Sequence, residues 1–244
     1  MDKGRIAVVI PVFNHEGKVA QVVREALKLH LPLFVVDDGS TDSTYDRIKD
    51  IPTVNIIRHS ANRGKGAAIL NGFAAVASTA DWAVTMDADG QHHPEDAWEL
   101  IKAVPPGQRP IIVGCREGME HRHVPWKSRF GRAFSNFWVR ASGGPAIRDT
   151  QSGFRLYPLP ESMHLGVRAR HFQFEVEILV RANWHGMPVL ETPVRVTYET
   201  DDQRVSHYRG FVDFCRNAAA FSRLIFTRLC ILPFLKSPPF IKGD

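Results

Sequence analysis

The sequence predicts an α/β fold, a Rossmann-like and mostly parallel sheet flanked by helices. Short apolar runs alternate with segments of helical periodicity through the first half of the chain, and polar loops follow the apolar runs. The 244 residues are 44% hydrophobic and 23% charged, which is ordinary for a globular protein. This composition excludes a disordered, collagen-like or polytopic membrane protein, and the length is sufficient to bury a core without disulfides.

The predicted strands are short apolar runs without polar alternation, a pattern typical of strands buried on both faces of a sheet. In chain order they are residues 5–10, 33–36, 54–57, 82–86 and 110–113. The segments between them are long enough to hold crossover helices, so we expect successive strands to run parallel.

Helical patterns fill the segments between these strands. In chain order we predict helices over residues 16–30, over a short segment ending at residue 48, and over residues 65–76 and 94–104. The first has apolar residues from Val19 to Leu27 on one face. Thr41 or Asp42 is expected to cap the second, and Pro94 suits the first position of the last.

The positive charge of the chain is concentrated near its C-terminus. The net charge is +5, and residues 204–242 carry seven Lys or Arg against one acid, Asp213. A uniformly basic nucleic-acid-binding protein would show a different distribution, so no nucleic-acid partner is expected. A basic segment that also contains apolar residues favours an anionic membrane surface as partner.

The C-terminal segment is predicted to form a basic amphipathic helix. Phe211, Phe214, Phe221, Leu224 and Ile225 fall near helical spacing, and arginines interrupt the apolar run, so a membrane-spanning helix of ~20 residues is not expected. The helix would lie in the membrane interface or, alternatively, pack on the sheet; both could hold in successive turns.

The cysteines and the N-terminus indicate a cytoplasmic protein. Three cysteines cannot complete a disulfide framework, and no C-x-x-C pair is present, which favours a reducing compartment. No export signal precedes the first apolar run. Together with the basic tail, this predicts a peripheral protein on the cytoplasmic face of a membrane.

Acidic loops follow two of the predicted strands, at the sheet edge where α/β proteins bind ligands. Asp87 and Asp89 follow the fourth strand and, being alternate residues, are expected to point the same way. Such a pair, with Gln91 next in the alternation, suits Mg²⁺ or Mn²⁺, which takes its remaining ligands from substrate phosphates. After the second strand, Asp37 or Asp38 could accept hydrogen bonds from a nucleobase or ribose, whereas Asp42 is expected to be a helix cap.

Two other nucleotide-binding motifs are excluded. The first strand ends in Pro-Val-Phe-Asn14 and lacks the G-x-G-x-x-G of dinucleotide-binding enzymes. Gly64-Lys65-Gly66 lacks the Ser or Thr that follows the lysine of a P-loop, and Ser60 stands where the first P-loop glycine belongs.

Several motifs, in this order, resemble those of family 2 glycosyltransferases, and most closely the dolichyl- and polyprenyl-phosphate sugar synthases. They are Ile10-Pro-Val-Phe-Asn-His-Glu16, Val36-Asp-Asp-Gly-Ser-Thr-Asp-Ser-Thr44, Asn62-Arg-Gly-Lys-Gly66, Asp87-Ala-Asp-Gly-Gln-His-His-Pro94 and Asp149-Thr-Gln-Ser-Gly-Phe-Arg155. The resemblance implies a GT-A fold over residues 1–208, followed by the tail 209–244. It also implies inverting transfer from a GDP- or UDP-linked sugar to a lipid phosphate.

The resemblance also implies roles for individual residues. The nucleoside site would be lined by Pro11, Phe13 and Asp38, with Glu16 or His15 beside it, and the donor site would also include Lys65 and Ala88. The divalent cation would be held by Asp87, Asp89 and Gln91. Arg116 would face the sugar phosphate or the acceptor, and the acceptor phosphate would be contacted by Lys127, Arg129 and Arg132. Near the end, the relatives often carry Ser-Lys with the lysine on phosphate. This chain has Ser206-His207 with Arg204 just before it, and a neutral histidine is a weaker phosphate partner.

The acceptor decides whether the reaction needs a base. A lipid phosphate is already ionised at neutral pH, so arginines need only position it. A hydroxyl must lose its proton to a general base, for which Asp149 is the first candidate and Glu175 the second. Alternatively, Asp149 stabilises its loop, paired with Arg148 or Arg155, and for Arg155 a structural role is favoured.

The remaining motifs suggest weaker assignments. His92 and His93 are expected to be loop residues, with His92 close enough to Asp89 to sit in the site. Residues 114–125 form a candidate acceptor loop or lid. Other functions considered are transfer to a hydroxyl of a lipid or glycan, a non-catalytic nucleotide-sugar-binding subunit, and a nucleotidyltransferase. The complete acidic motif argues against the binding subunit, and the loop after the first strand argues against the nucleotidyltransferase.

Overall fold

The computed structural model of the chain describes residues 4–116, 126–197 and 210–234, and for residues 126–130, 210–215 and 234 it describes the backbone alone. A 7-stranded sheet forms the centre of this part of the chain, with strand order β3-β2-β1-β4-β6-β5-β7. Its strands are β1 Ile6–Val12, β2 Leu33–Asp37, β3 Val54–Arg58, β4 Trp82–Thr85, β5 Ile111–Arg116, β6 Arg155–Pro158 and β7 Val189–Val194. The predicted α/β class and mostly parallel sheet are confirmed.

One strand of the sheet runs against the others. β6 pairs antiparallel with both β4 and β5, whereas the other four pairings between these seven strands are parallel. Arg155 at the start of β6 therefore lies opposite Thr85 at the end of β4. This reversal brings the loop that precedes β6, rather than the loop after it, to the edge where the parallel strands end.

Helices cover both faces of the sheet. They are α1 Val19–Leu27, α2 Thr44–Ile48, α3 Lys65–Val76, α4 Ala97–Lys102, α5 Trp126–Ala141, α6 Phe174–Trp184 and α7 Gly210–Phe226. A 3₁₀ turn, Pro94–Asp96, leads into α4 as the proline predicts, and Asp42 rather than Thr41 accepts a hydrogen bond from the N–H of Thr44 at 2.9 Å.

The core explains why the strands lack polar alternation. Val8 and Ile10 of β1 pack into one apolar cluster with α1 and α4, while Ala7 and Val9 pack into a second cluster with α3 and α6. Since both faces of β1 are fully covered, each position along it must be apolar.

The C-terminal helix packs on other helices, not on the sheet. Phe221 and Leu224 of α7 join a third cluster with Val139 of α5 and Val180 of α6. The expected alternative of a helix packed on the sheet is thereby corrected. No helix among the described residues is both long and apolar enough to span a membrane.

Candidate functional site

The candidate site lies at the edge of the sheet where β1, β2, β4 and β5 end. Asp37 is the last residue of β2, Asp87 follows β4 closely, and Arg116 is the last residue of β5. The antiparallel β6 adds the loop that carries Asp149 and Gly153 to the same edge. The structure therefore gathers most of the sequence-predicted residues on one side of the molecule.

A lysine bridges two carboxylates in the centre of this edge. The ammonium nitrogen Nζ of Lys65 lies 2.6 Å from Oδ1 of Asp87 and 2.5 Å from Oε1 of Glu175. Burial alone would lower the pKa of Lys65, but the two carboxylates outweigh it and raise the pKa above 10.5. Burial likewise opposes the charged form of Asp87, yet Lys65 and then His92 hold its pKa below 3.8. Lys65 and Asp87 are therefore both charged at neutral pH.

The loop before β6 closes tightly over this cluster. The carbonyl oxygen of Gly153 accepts a hydrogen bond from Oγ1 of Thr85 at 2.8 Å. A Cβ atom at position 153 would stand 2.5 Å from Oδ2 of Asp87 and 2.8 Å from Nζ of Lys65. Any larger residue at position 153 would therefore force Asp87, Lys65 or the loop itself to shift.

Asp89 and His92 complete the acidic loop after β4. Oδ1 of Asp89 accepts a hydrogen bond from the N–H of Gln91 at 3.0 Å. Nε2 of His92 lies 4.0 Å from Oδ2 of Asp87, and its ring stacks on Phe154 with centroids 5.0 Å apart. Burial lowers the pKa of His92, while the charges of both Asp87 and Asp89 oppose this change. The charges of both carboxylates thus act on His92, and the common direction of the two side chains stays a prediction.

These groups fit a hard divalent cation. Asp87 and Asp89 are partly exposed at the sheet edge, and Gln91, also partly exposed, follows Asp89 by two residues. Across 4–116, 126–197 and 210–234, no group of three or more His, Cys, Asp and Glu side chains is placed to enclose a metal ion. A Mg²⁺ or Mn²⁺ ion held by one or two carboxylates would take its other ligands from water and phosphate.

Asp38 holds the loop that leads into α3. Its side chain is buried, and Oδ1 lies 2.7 Å from Nδ1 of His59 and accepts from the N–H of Arg63 at 2.8 Å. Oδ2 accepts from the N–H of Gly64 at 2.7 Å. The carboxylate is therefore engaged by its own chain on both oxygens, and a contact to a nucleobase stays a prediction.

A cavity of about 440 Å³ opens beside this loop. It is lined by Gly39, Ser40, Thr41, Arg58, His59 and Ser60, from the ends of β2 and β3. Its walls are mainly polar, and Arg58 places a positive charge there with Nε 3.1 Å from Oδ2 of Asp37. The size and polarity suit a nucleoside fragment.

The loop after β1 is tied to the loop after β2. Oε2 of Glu16 accepts from the N–H of Ser43 at 3.0 Å, and the N–H of Glu16 donates to Oδ2 of Asp42 at 3.2 Å. Pro11 lies buried within β1, Phe13 is half-buried just beyond it, and Ala88 is buried between the two aspartates of its motif. Glu16 thus stabilises two loops of the site, and its contact with a ligand stays a prediction.

Arg116 and Asp149 form an ion pair beside the acidic loop. Asp149 is fully enclosed, its Oδ2 lies 2.7 Å from Nε of Arg116, and its Oδ1 lies 2.9 Å from Nη2. Burial opposes the charge on Asp149, but Arg116 holds its pKa below 3.8. An enclosed carboxylate with a low pKa is a weak base without access to substrate, which argues against Asp149 as the general base and for a role in holding Arg116.

The expected partners of Asp149 require a correction. Arg148 lies beside Glu191 instead, with Nε 3.7 Å from Oε2. The buried Arg155 donates to the carbonyl oxygens of Thr150, Ser152 and Glu175, so its favoured structural role is confirmed. Sequence spacing missed the pairing of Asp149 with Arg116, because these residues meet only through the pairing of β5 with β6.

Several predicted residues cannot be placed in the site. Arg204 and His207 lie outside the described residues, as does most of the candidate lid 114–125. Lys127 and Arg129 belong to α5, where the backbone alone is described, while Arg132 contributes a positive charge near Asp149. Their contacts with an acceptor phosphate stay predictions.

Comparisons with known proteins agree with this architecture. The model of the family "Glycosyl transferase family 2" matches residues 7–157. A polyprenol monophosphomannose synthase of Mycolicibacterium smegmatis is 30% identical, over 79% of this chain and 77% of its own. A UDP-N-acetylglucosamine–dolichyl-phosphate N-acetylglucosaminyltransferase of Methanococcus voltae is 29% identical, over 79% of this chain and 86% of its own.

The fold resembles that of a solved enzyme structure. Glucosyl-3-phosphoglycerate synthase from Mycobacterium tuberculosis, in complex with Mn²⁺, uridine diphosphate and phosphoglyceric acid, superposes with a TM-score of 0.69 at 18% identity. The match covers 92% of this chain and 78% of that one. At this identity the likeness establishes the fold, and the predicted GT-A architecture is confirmed.

Proposed function

The chain belongs to glycosyl transferase family 2, and on that premise we propose that it transfers a sugar from a nucleotide-sugar to a polyprenyl phosphate with inversion. The observation that carries this proposal is the position of Asp87 and Asp89 just after β4, where both are partly exposed and Asp87 lies beside Lys65. The cavity at the ends of β2 and β3 would receive the nucleoside of a UDP- or GDP-linked donor.

Asp87, Asp89 and Gln91 would hold a Mg²⁺ or Mn²⁺ ion against the diphosphate of the donor. When bound, such an ion stabilises the negative charge that develops on the nucleoside diphosphate leaving group. Lys65 adds a fixed positive charge at the same place. The protein thus supplies charge for the leaving group without donating a proton to it.

The ion pair of Arg116 with Asp149 favours a phosphate acceptor over a hydroxyl. A hydroxyl acceptor needs a base, and the first candidate, Asp149, is enclosed and held charged by Arg116. A lipid phosphate is already ionised, so it needs only positive groups that orient it. Arg116 and Arg132, at the end of β5 and on α5, carry such charge.

The C-terminal helix would bring the enzyme to the lipid. Phe226 is 61% exposed and Leu229 is 65% exposed, although Phe221 and Leu224 earlier in the same segment are buried against α5 and α6. We therefore propose a catalytic domain over residues 1–208 and a tail over 209–244 that packs first and then meets an anionic membrane surface. The cytoplasmic face is the proposed location.

Thermal unfolding with a panel of UDP- and GDP-sugars and Mn²⁺ tests the proposal. The correct donor at ~100 times its dissociation constant should stabilise the protein by roughly 2.7 kcal/mol. Asp89→Ala should lose the metal-dependent part, while Glu99→Ala, an exposed acid of α4, should retain it. The donor identified in this way should then label a short polyprenyl phosphate. Stabilisation by no nucleotide-sugar, or an undiminished metal effect in Asp89→Ala, would contradict the assignment.

A further inference from the structure

Glu175 shares the ammonium group of Lys65 with the carboxylate expected to bind the metal. Nζ of Lys65 lies 2.5 Å from Oε1 of Glu175 and 2.6 Å from Oδ1 of Asp87. The side chains of Lys65 and Glu175 are only 16% and 9% exposed, so water screens their charges weakly. The ring of Phe172 lies 5.9 Å from Nζ and covers the pair further.

The fold fixes this arrangement from two helices. Lys65 opens α3, and Glu175 lies in the first turn of α6 on the same face of the sheet. A Cβ atom at Gly66 would stand 2.5 Å from Cβ of Phe174, so the two helices approach each other at a glycine. The ammonium group is therefore held between its partners by the packing of α3 on α6.

Charge balance gives Glu175 a role beyond that of a structural contact. With Lys65 and Glu175 neutralising each other, Asp87 and Asp89 present two negative charges to a dication. Without Glu175, the ammonium group would neutralise one of the two carboxylates and repel the dication at short range. The backbone of Glu175 serves a separate purpose, since its carbonyl oxygen accepts from Nη1 of Arg155 at 2.7 Å.

We propose that Glu175 is a positioning residue that shares the ammonium group of Lys65 with Asp87, offsets its positive charge and so keeps Asp87 able to bind a divalent cation. This inference rests on the proposed function, because it takes Asp87 and Asp89 as the metal ligands. It assigns Glu175 a task other than that of a general base, and it makes Lys65 the resident cation of the site when no metal is bound.

Mn²⁺ binding, measured by electron paramagnetic resonance on the full chain without substrate, tests the charge balance. Glu175→Gln should weaken Mn²⁺ binding roughly tenfold, since it leaves one net negative charge at the site. Lys65→Met should strengthen binding, and the double variant should return close to wild type because its net charge is the same. The matched control is Glu161→Gln, at the other edge of the sheet, where Glu161 pairs with Arg109; its Mn²⁺ binding should be unchanged.

The outcomes separate this inference from the proposed function. If the wild type binds no Mn²⁺ without substrate, this inference is overturned, and thermal unfolding with nucleotide-sugars and Mn²⁺ decides the proposed function separately. If the wild type binds Mn²⁺ and folded Glu175→Gln binds it equally well, this inference alone is overturned. Circular dichroism establishes folding. If Glu175→Gln does not fold, Lys65→Met decides the matter, because weaker binding by that variant than by wild type would overturn the proposed charge balance.

Discussion

Arg116 and Asp149 form a bidentate ion pair that joins the last residue of β5 to the loop preceding β6, with N–O distances of 2.7 and 2.9 Å. Asp149 is fully buried, whereas the side chain of Arg116 is 16% exposed. The pair therefore fixes the direction of a guanidinium group at the rim of the site.

Replacing one member of this pair should destabilise the fold. We expect Asp149→Asn to lower the free energy of unfolding by roughly 3 kcal/mol, because Arg116 is left partly buried without its counter-charge. Urea unfolding at neutral pH measures the change. Asp46→Asn removes an exposed partner of Lys49 and should leave the free energy of unfolding nearly unchanged. Equal effects of the two changes would contradict the importance of the buried pair.

The same pair predicts a dependence of stability on pH. Arg116 lowers the pKa of Asp149 below 3.8 in the folded state. The stabilisation is therefore complete above pH 3.8 and is lost as the pH falls through the lower pKa of the folded state. The difference in unfolding free energy between wild type and Asp149→Asn should be constant from pH 7 to 5 and shrink below pH 3.8. A difference that grows in acid would contradict this sign.

Gly153 has no side chain that could react, but sugar transfer should depend on it. Gly153→Ala places a Cβ atom 2.5 Å from Oδ2 of Asp87, so either the loop or the carboxylate must move. We expect sugar transfer to fall at least about tenfold, because small misplacements of reacting groups are costly. Gly17→Ala is the control, since nothing lies within 4 Å of its added Cβ. Retained transfer by Gly153→Ala would contradict the importance of this close approach.

The described cysteines should differ in reactivity. Burial raises the pKa of Cys115 to about 11, whereas Cys230 is exposed. Because the thiolate is the reactive form, iodoacetamide at pH 8 should modify Cys230 well before Cys115. Peptide mapping by mass spectrometry follows both sites in time. Simultaneous labelling in the folded protein would show that the end of β5 opens more readily than its packing indicates.

The exposed apolar residues at the end of α7 and just beyond it should mediate binding to membranes. The double variant Phe226→Ser and Leu229→Ser should float less with anionic liposomes than wild type does, because it removes two exposed apolar side chains. Trp98→Ser, on α4, removes an exposed apolar side chain elsewhere and should float like wild type. Equal flotation of all three proteins would remove the proposed membrane contact.

The first half of the fold was predictable because its signals are local. α3 occupies Lys65–Val76 as predicted, and the left-handed φ of 97° at Gly64 marks the turn before it. β6 escaped prediction because its first residue is an arginine, which normally indicates a surface position. Arg155 can be buried here because its N–H groups donate to the carbonyl oxygens of Thr150 and Ser152 in the preceding loop and of Glu175 in α6.

Candidate site residues could be proposed from the sequence where they lie close together in the chain. Asp87 and Asp89 were identifiable from their alternation after a buried strand. The contact of Lys65 with Glu175 joins residues 110 positions apart, and no spacing rule connects them. The hydrogen bonds that Asp38 makes with His59, Arg63 and Gly64 could not be predicted from the sequence either. They form because the loop after β3 folds back onto the carboxylate.

The reversed direction of β6 also means that this strand begins at the end of the sheet that holds the candidate site and finishes at the opposite end, which is open to protein engineering. The chain enters β6 beside Asp87 and leaves it at the opposite edge, where a 3₁₀ segment, Glu161–Leu165, follows. A fluorescent reporter attached to the exposed His164 would therefore sit one full strand length from the chemistry. This position could carry a label that reports conformational change, or a linker that immobilises the protein on a surface, while the candidate site stays unobstructed.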